Sequence, residues 1–223
     1  AGGCSHGLPD LPSGVYKVNS NGKTSLLADL SAWQRANPVA HPEADDFEPD
    51  GSWYSMQEVG NELYALEANH GELVRITSKG TISRVVDISA TQGHIVPTAM
   101  DYKGDFYVGN LSTFPIMENS KILKITMGGN IHEVASGLST VLGLVVTQTS
   151  WMYVLENTVG ASFPTPGTGR IIAISPGGQQ SVLISGLNLP TAMTMGPDGN
   201  LYVSNWGFGK PPGGGEIVKV TLQ

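Results

Sequence analysis

Glu67, Asn110, Glu156 and Asn205 are the residues whose type and spacing point to chemistry. Each stands three residues after a tyrosine and closes a near-copy of one short run: Leu63-Tyr64-Ala65-Leu66-Glu67, Phe106-Tyr107-Val108-Gly109-Asn110, Met152-Tyr153-Val154-Leu155-Glu156 and Leu201-Tyr202-Val203-Ser204-Asn205. Brought to one place, two carboxylates and two amides offer oxygen ligands to a hard divalent cation such as Ca2+. Without a cation, two buried carboxylates facing each other would repel, and one would have to protonate. The competing reading is that strand-end Glu and Asn bond nearby backbone, as Asn does in turns. His70 and His94 fall in loops at the same end of the repeats, either as an acid–base pair or as two satisfied loop histidines. Thr98 and Thr191 each follow a proline at the start of an apolar run, where their hydroxyls would line a mouth. Trp206 and Phe208, with Phe114 and Phe163, stand in Gly/Pro-rich connectors. They read either as an aromatic rim for a flat or sugar-like ligand or as loop packing.

The elements that must position these residues are repeats. The four tyrosines are 43, 46 and 49 residues apart, and a fixed period of that size with several short strands in each copy points to a propeller. A second element recurs in phase: Gly14-Val15-Tyr16-Lys17-Val18, Glu72-Leu73-Val74-Arg75-Ile76, Lys121-Ile122-Leu123-Lys124-Ile125, Arg170-Ile171-Ile172-Ala173-Ile174 and Glu216-Ile217-Val218-Lys219-Val220. Asn21-Gly22, Lys79-Gly80, Gly128-Gly129 and Gly177-Gly178 follow the first four as hairpin turns. A further strand precedes each tyrosine strand, so each repeat has four. The expected fold is an all-β propeller of four-stranded antiparallel blades, with a β-sandwich as the competing architecture. Blades are expected near residues 54–88, 97–136, 141–185 and 190–221, with a half blade at 14–30. About four and a half blades suit part of a six-bladed ring, completed by strands upstream of Ala1 or by a partner chain; a small irregular ring is the alternative. An unclosed array would expose sheet edges.

Residues 31–53 interrupt the pattern. Ser31 is expected to cap a short helix that Pro38 ends. Glu43, Asp45, Asp46, Glu48 and Asp50 then form an acidic segment that lacks the spacing and internal glycine of a calcium loop, and reads as a solvated loop over one end of the ring.

Composition narrows the function classes. Charged residues make up 14% of the chain and glycines number 29, the profile of a turn-rich β protein. A net charge of −7 argues against a nucleic-acid partner. There is no apolar run long enough for a membrane helix and no signal peptide at Ala1. Cys4 is the single cysteine and forms no internal disulfide. No nucleophile elbow, phosphate loop, nucleotide fingerprint or paired-cysteine metal site is present.

Longer stretches carry a family resemblance. Cys4-Ser5-His6-Gly7-Leu8-Pro9, Asp46-Phe47-Glu48-Pro49-Asp50-Gly51, Glu67-Ala68-Asn69-His70-Gly71, Gly93-His94-Ile95-Val96-Pro97-Thr98 and Pro164-Thr165-Pro166-Gly167-Thr168-Gly169 join the tyrosine strands in this. On these the whole chain resembles the ScyD/ScyE family, secreted propellers named for the scytonemin sunscreen cluster. More distantly it resembles NHL repeats and the calcium-dependent gluconolactonase and senescence-marker propellers. The resemblance implies a secreted, extracellular or periplasmic protein, and a longer N-terminus with a secretion signal. Gluconolactonase-type propellers place a Glu/Asn/Asn/Asp set around their metal, to which Glu67, Asn110, Glu156 and Asn205 correspond by position type.

The expected function is a binding or scaffold propeller that takes a small molecule, glycan or protein partner on its loop-rich face. A divalent-metal-dependent hydrolase or lactonase and a structural component of an extracellular assembly are the alternatives, and self-association is a further possibility for the ring.

Overall fold

Continuous apolar runs become strands when both of their faces are covered. Along Gly169–Ile174, Ile171 packs in one buried cluster with Leu155, Leu187, Leu201 and Val203. Its neighbour Ile172 packs in another with Ala99, Ile122, Val141 and Val154. Successive side chains point to opposite faces of a strand. A blade with a neighbour on each side is therefore apolar at every position, which is why these runs show only partial alternation.

The computed structural model describes residues 11–45 and 47–222; Cys4 and Asp46 lie outside them. The chain is an all-β propeller protein whose sheets follow one another along the sequence, with two compact units, Ala1–Val96 and Pro97–Gln223. In the first unit, β1 (Gly14–Val18) and β2 (Thr24–Asp29) form a two-stranded sheet. The short helix α1 (Leu30–Ala36) follows. Then comes an antiparallel blade of β3 (Trp53–Val59), β4 (Glu62–Glu67), β5 (Glu72–Ile76) and β6 (Ile82–Asp87), with the one-turn helix α2 (Ser89–Gln92) after it. Ala28, Leu30, Ala65, Val74 and Ile76 make its core.

The second unit has two four-stranded blades. One comprises β7 (Pro97–Lys103), β8 (Asp105–Asn110), β9 (Ser120–Ile125) and β10 (Ile131–Leu138). The other comprises β11 (Val141–Val146), β12 (Met152–Glu156), β13 (Gly169–Ile174) and β14 (Gln180–Leu187). A three-stranded sheet follows, made of β15 (Ala192–Met195), β16 (Leu201–Asn205) and β17 (Glu216–Val220). The first strands β7, β11 and β15 lie side by side, so the inner strands of the three sheets are neighbours.

The repeated tyrosine has a physical partner. Tyr64, Tyr107 and Tyr202 stand opposite Arg75, Lys124 and Lys219 on the third strand. The Lys124 and Lys219 ammonium groups lie 5.9 and 5.8 Å from the tyrosine ring centroids. Each cation also pairs with an acid near the start of the tyrosine strand: Glu62 at 3.3 Å, Asp105 at 2.9 Å and Asp198 at 2.8 Å. Tyr153 faces Ala173 and departs from the pattern.

The insertion differs from its expected form at the helix start and agrees with it at the helix end. Asp29, not Ser31, caps α1, its carboxylate accepting the Ala32 N–H at 2.7 Å. Ser31 is buried in the first turn and donates its hydroxyl to the Ser13 carbonyl. The helix stops at Ala36, with the Asn37 N–H bonded to the Trp33 carbonyl, and Pro38 follows.

The glycines of the outer hairpins sit at positive φ, from +77° to +84° at Gly22, Gly80, Gly129 and Gly178. Gly22 faces open space, whereas a Cβ on Gly80 would lie 1.9 Å from the Leu27 carbonyl oxygen of β2. Gly22→Ala should therefore cost only the left-handed strain, about 1–2 kcal/mol. Gly80→Ala adds a backbone clash and should cost at least about 2 kcal/mol more. Urea-unfolding midpoints of the two variants check the difference; equal losses would mean that β2 yields freely to the turn.

Candidate functional site: the ends of the tyrosine strands and their connectors

The four strand-end residues are almost wholly buried: Glu67 and Glu156 at 0% exposure, Asn110 at 2% and Asn205 at 3%. A buried polar group needs partners, and here they come largely from the backbone. Glu67 accepts the Ser52 N–H at 2.5 Å, Glu156 the Ser139 N–H at 2.5 Å and Asn205 the Asn188 N–H at 2.7 Å. Ser52, Ser139 and Asn188 all lie on the entry into the first strand of the same blade. The end of the second strand thus holds the chain as it enters the first. Asn110 accepts the N–H of Lys121 at 2.8 Å.

Each of these residues also meets the residue opening the third strand. Glu67 stands opposite Glu72, Glu156 opposite Arg170 and Asn205 opposite Glu216. The Arg170 Nε donates to the Glu156 carboxylate, and the Asn205 Nδ2 donates to Glu216 at 2.6 Å. Sequence reasoning missed these partners. A signal was there: the repeated third-strand runs begin with Glu72, Lys121, Arg170 and Glu216, a charge in every case.

Glu67 is the most elaborated of the four. Besides Ser52, its oxygens accept the N–H groups of Asn69 at 3.0 Å, His70 at 2.5 Å and Gly71 at 3.1 Å. Burial raises its pKa, and these N–H groups, with His70, oppose that shift. The opposing Glu72 is also fully buried. Its pKa is raised first by burial, against the lowering effect of Arg84, whose Nε lies 2.5 Å away.

His70 is buried rather than on an open rim. Its Nε2 lies 2.7 Å from the Glu48 carbonyl, and its ring meets Phe47 edge-on at 5.0 Å. The acidic segment is thereby strapped to the blade. Arg84 bonds the Asn37 and Pro38 carbonyls, Asp87 accepts the Ala40 N–H at 2.6 Å, and Asn69 accepts the Glu48 N–H at 3.0 Å. Arg35 pairs with Asp50. His94 is half-buried in the loop before β7.

The remaining candidates divide. Thr98 is buried and donates to the Val141 carbonyl at 2.6 Å, a tie between neighbouring blades. Thr191 lies under the β16–β17 connector, where a Cβ on Gly207 would meet its Oγ1 at 2.0 Å. Trp206 and Phe208 line a groove of about 380 Å³ together with Ser204, Lys210, Pro211 and Glu216. Phe114 and Phe163 are exposed and stack at 6.1 Å, with 12° between ring planes. Their connectors are tied by the Ile116 N–H to the Ser162 carbonyl at 2.9 Å and by the Gly160 N–H to Glu118 at 2.8 Å.

The fit of a divalent cation can be judged from the donors. The Glu67 oxygens receive four N–H groups, those of Glu156 an N–H and a guanidinium, and the Asn110 and Asn205 carbonyl oxygens an N–H each. Among the described residues no group of three or more His, Cys, Asp or Glu is placed to hold a metal ion. Oxygens facing N–H donors are poorly disposed to ligate calcium, and the residues present do not fit it well.

No protein-family model and no curated protein matches the chain. Solved structures do, and they include β-propeller proteins. A chain of a nidogen–laminin complex is 18% identical, with a TM-score of 0.58 over 84% of this chain and 61% of the other. A virginiamycin B lyase from Staphylococcus aureus, crystallised with quinupristin, is 18% identical, with a TM-score of 0.57 over 93% and 62%. The calcium-binding regucalcin of Agrobacterium tumefaciens is 11% identical, with a TM-score of 0.53 over 70% and 54%. The chain matches about three-fifths of the length of the first two. Among the described residues no helix is long and apolar enough to cross a membrane.

Two measurements probe this region. Because the folded pKa of Glu72 lies above its ordinary 4.5, the folded state takes up the proton first. The stability contributed by this group is fully present below that value and is lost as pH rises through the raised one. Urea unfolding of wild type and Glu72→Gln from pH 4.5 to neutrality should show the wild type losing ground to the variant as pH rises. The second measurement is a calcium titration followed by thermal unfolding. A cation held by the folded state raises the melting temperature by mass action. With the four side chains bonded as described, no rise is expected, and a saturable rise abolished by Glu156→Gln would restore the cation reading.

Proposed function

We propose that the protein is a binding or scaffold propeller that takes a small molecule, glycan or protein partner on the end of its blades where the second-to-third-strand connectors stand. The observation that carries this reading is the exposed aromatic surface of three such connectors. Phe114 and Phe163 stack across two of them, and Trp206 and Phe208 line the groove of the third. Large aromatic side chains left in water are costly unless something covers them, and aromatic platforms with a few polar groups are common linings of ligand sites. Met117, in the same connector as Phe114, is 69% exposed. The connector of the first complete blade is the short turn Ala68-Asn69-His70-Gly71 and bears no such surface.

The resemblance to the ScyD/ScyE propellers supports a secreted protein acting outside the cytoplasm. It brings no catalytic mechanism with it. A metal-dependent hydrolase would draw on Glu67, Asn110, Glu156 and Asn205, whose oxygens are engaged within their own blades.

A glycan and extracellular-protein array probed with the labelled chain tests the proposal. Binding is expected above background, and it should fall at least ten-fold in the Phe114→Ala/Phe163→Ala double variant with its melting temperature unchanged. Undiminished binding in that variant would end the reading that this end of the blades is the binding face.

A further inference from the structure

The groove of the β16–β17 connector is built rather than merely left between loops. The Trp206 N–H bonds the Asn188 carbonyl at 2.7 Å and the Gly207 N–H bonds the Leu189 carbonyl at 3.2 Å. Gly207 presses onto Thr191 and Gly209 onto Leu189, with φ of +85° at Gly209. Trp206 itself is held at a φ of +54°. The connector is therefore fixed before any ligand arrives, which lowers the ordering cost of binding.

The lining carries two opposite charges that do not pair. Lys210 places its ammonium 4.4 Å from the Trp206 ring centroid, a cation–π contact. No carboxylate among the described residues lies within 4.0 Å of that ammonium. Glu216 is held the other way, its Oε1 accepting the Asn205 Nδ2 at 2.6 Å. Trp206, Phe208, Pro211 and Pro212 supply apolar walls around them. About 380 Å³ suits a single ring.

The geometry points to a ligand that is a hydroxylated ring bearing one carboxylate, a sugar acid of the uronic type. This rests on the reading that the aromatic connectors form the binding face. The ring packs on the aromatic and proline walls. The carboxylate meets Lys210, a strong donor in the lining with no anionic partner among the described residues. Ring hydroxyls donate to Glu216 and exchange hydrogen bonds with Ser204. A zwitterion such as a free amino acid suits the lining less well. An ammonium wants three acceptors, and Glu216 is the single carboxylate there, already shared with Asn205. The chain carries a net charge of −7, so its overall field repels an anion and attraction must come from Lys210 alone.

The test is a titration of 15N-labelled protein, read at the Trp206 indole N–H, with methyl glucuronide, methyl glucoside and phenylalanine. Glucuronide is expected to shift that signal and to bind about ten-fold or more tightly than glucoside, the ratio of a charge-assisted to a neutral contact. Lys210→Met, a change at an exposed side chain, should bring glucuronide down to the level of glucoside. Equal binding of the two sugars, or indifference to Lys210→Met, overturns the acid class while the aromatic face keeps its role. Tighter binding of phenylalanine than of glucuronide overturns it in favour of a zwitterion. No shift at Trp206 with either sugar overturns the assignment of this groove, and the array result with the Phe114/Phe163 variant, on different connectors, still decides the binding face separately.

Discussion

The bond from the end of the second strand to the entry of the first is the interaction on which the sheets of Glu67, Glu156 and Asn205 depend. A propeller blade is a meander whose first strand is reached across a connector from the preceding blade. Nothing in a hairpin ladder fixes that approach. Here a wholly buried Glu or Asn does so by accepting a backbone N–H, as Glu67 does from Ser52, Glu156 from Ser139 and Asn205 from Asn188. Charge-assisted bonds from backbone N–H groups to a buried carboxylate are among the stronger ones available, and leaving such a group unpaired is expensive. In these three sheets a single side chain therefore fixes the start of the first strand.

That fixed end is where the repeats are free to diverge. The second-to-third-strand connector is a four-residue turn in the first complete blade and longer in the three that follow, where Phe114, Phe163, Trp206 and Phe208 stand. The strands beneath are apolar on both faces and buried between neighbours, as Ile171 and Ile172 illustrate. A rigid scaffold under variable connectors is the arrangement in which binding residues accumulate. The insertion on the first unit uses the same logic with different material, since Arg84, Asp87, Asn69 and His70 hold its backbone down through polar bonds.

The strands were legible in the sequence because apolar runs, Gly-containing turns and the recurring tyrosine all encode local geometry. The positions of Glu67, Asn110, Glu156 and Asn205 were legible for the same reason. Their partners were not. A hydrogen bond from Ser139 to Glu156 joins residues 17 apart, and neither residue type announces it. A carboxylate that ligates a cation and one that accepts backbone N–H groups look the same in sequence. The cap of α1 fell to Asp29 rather than Ser31 because β2 runs directly into the helix, and the first free side chain at the junction is the last of the strand. The cation–π seat of Lys210 depends on the path of a glycine- and proline-rich loop, which no periodicity describes.

The unequal chemistry at the strand ends bears on how the chain avoids folding errors. Successive repeats of similar sequence can exchange strands, a characteristic failure of repeat proteins. In this chain each second strand meets its own third strand differently: Glu67 stands opposite Glu72, which Arg84 of the fourth strand pairs, Asn110 bonds Lys121, Glu156 Arg170, and Asn205 Glu216. A Glu156 strand docked against the strand that opens on Glu216 would set its buried carboxylate beside a second acid and without the Arg170 guanidinium. The strand ends thus act as addresses: a wrong partner for the Glu156 strand leaves a wholly buried carboxylate without its guanidinium, which carries an electrostatic penalty.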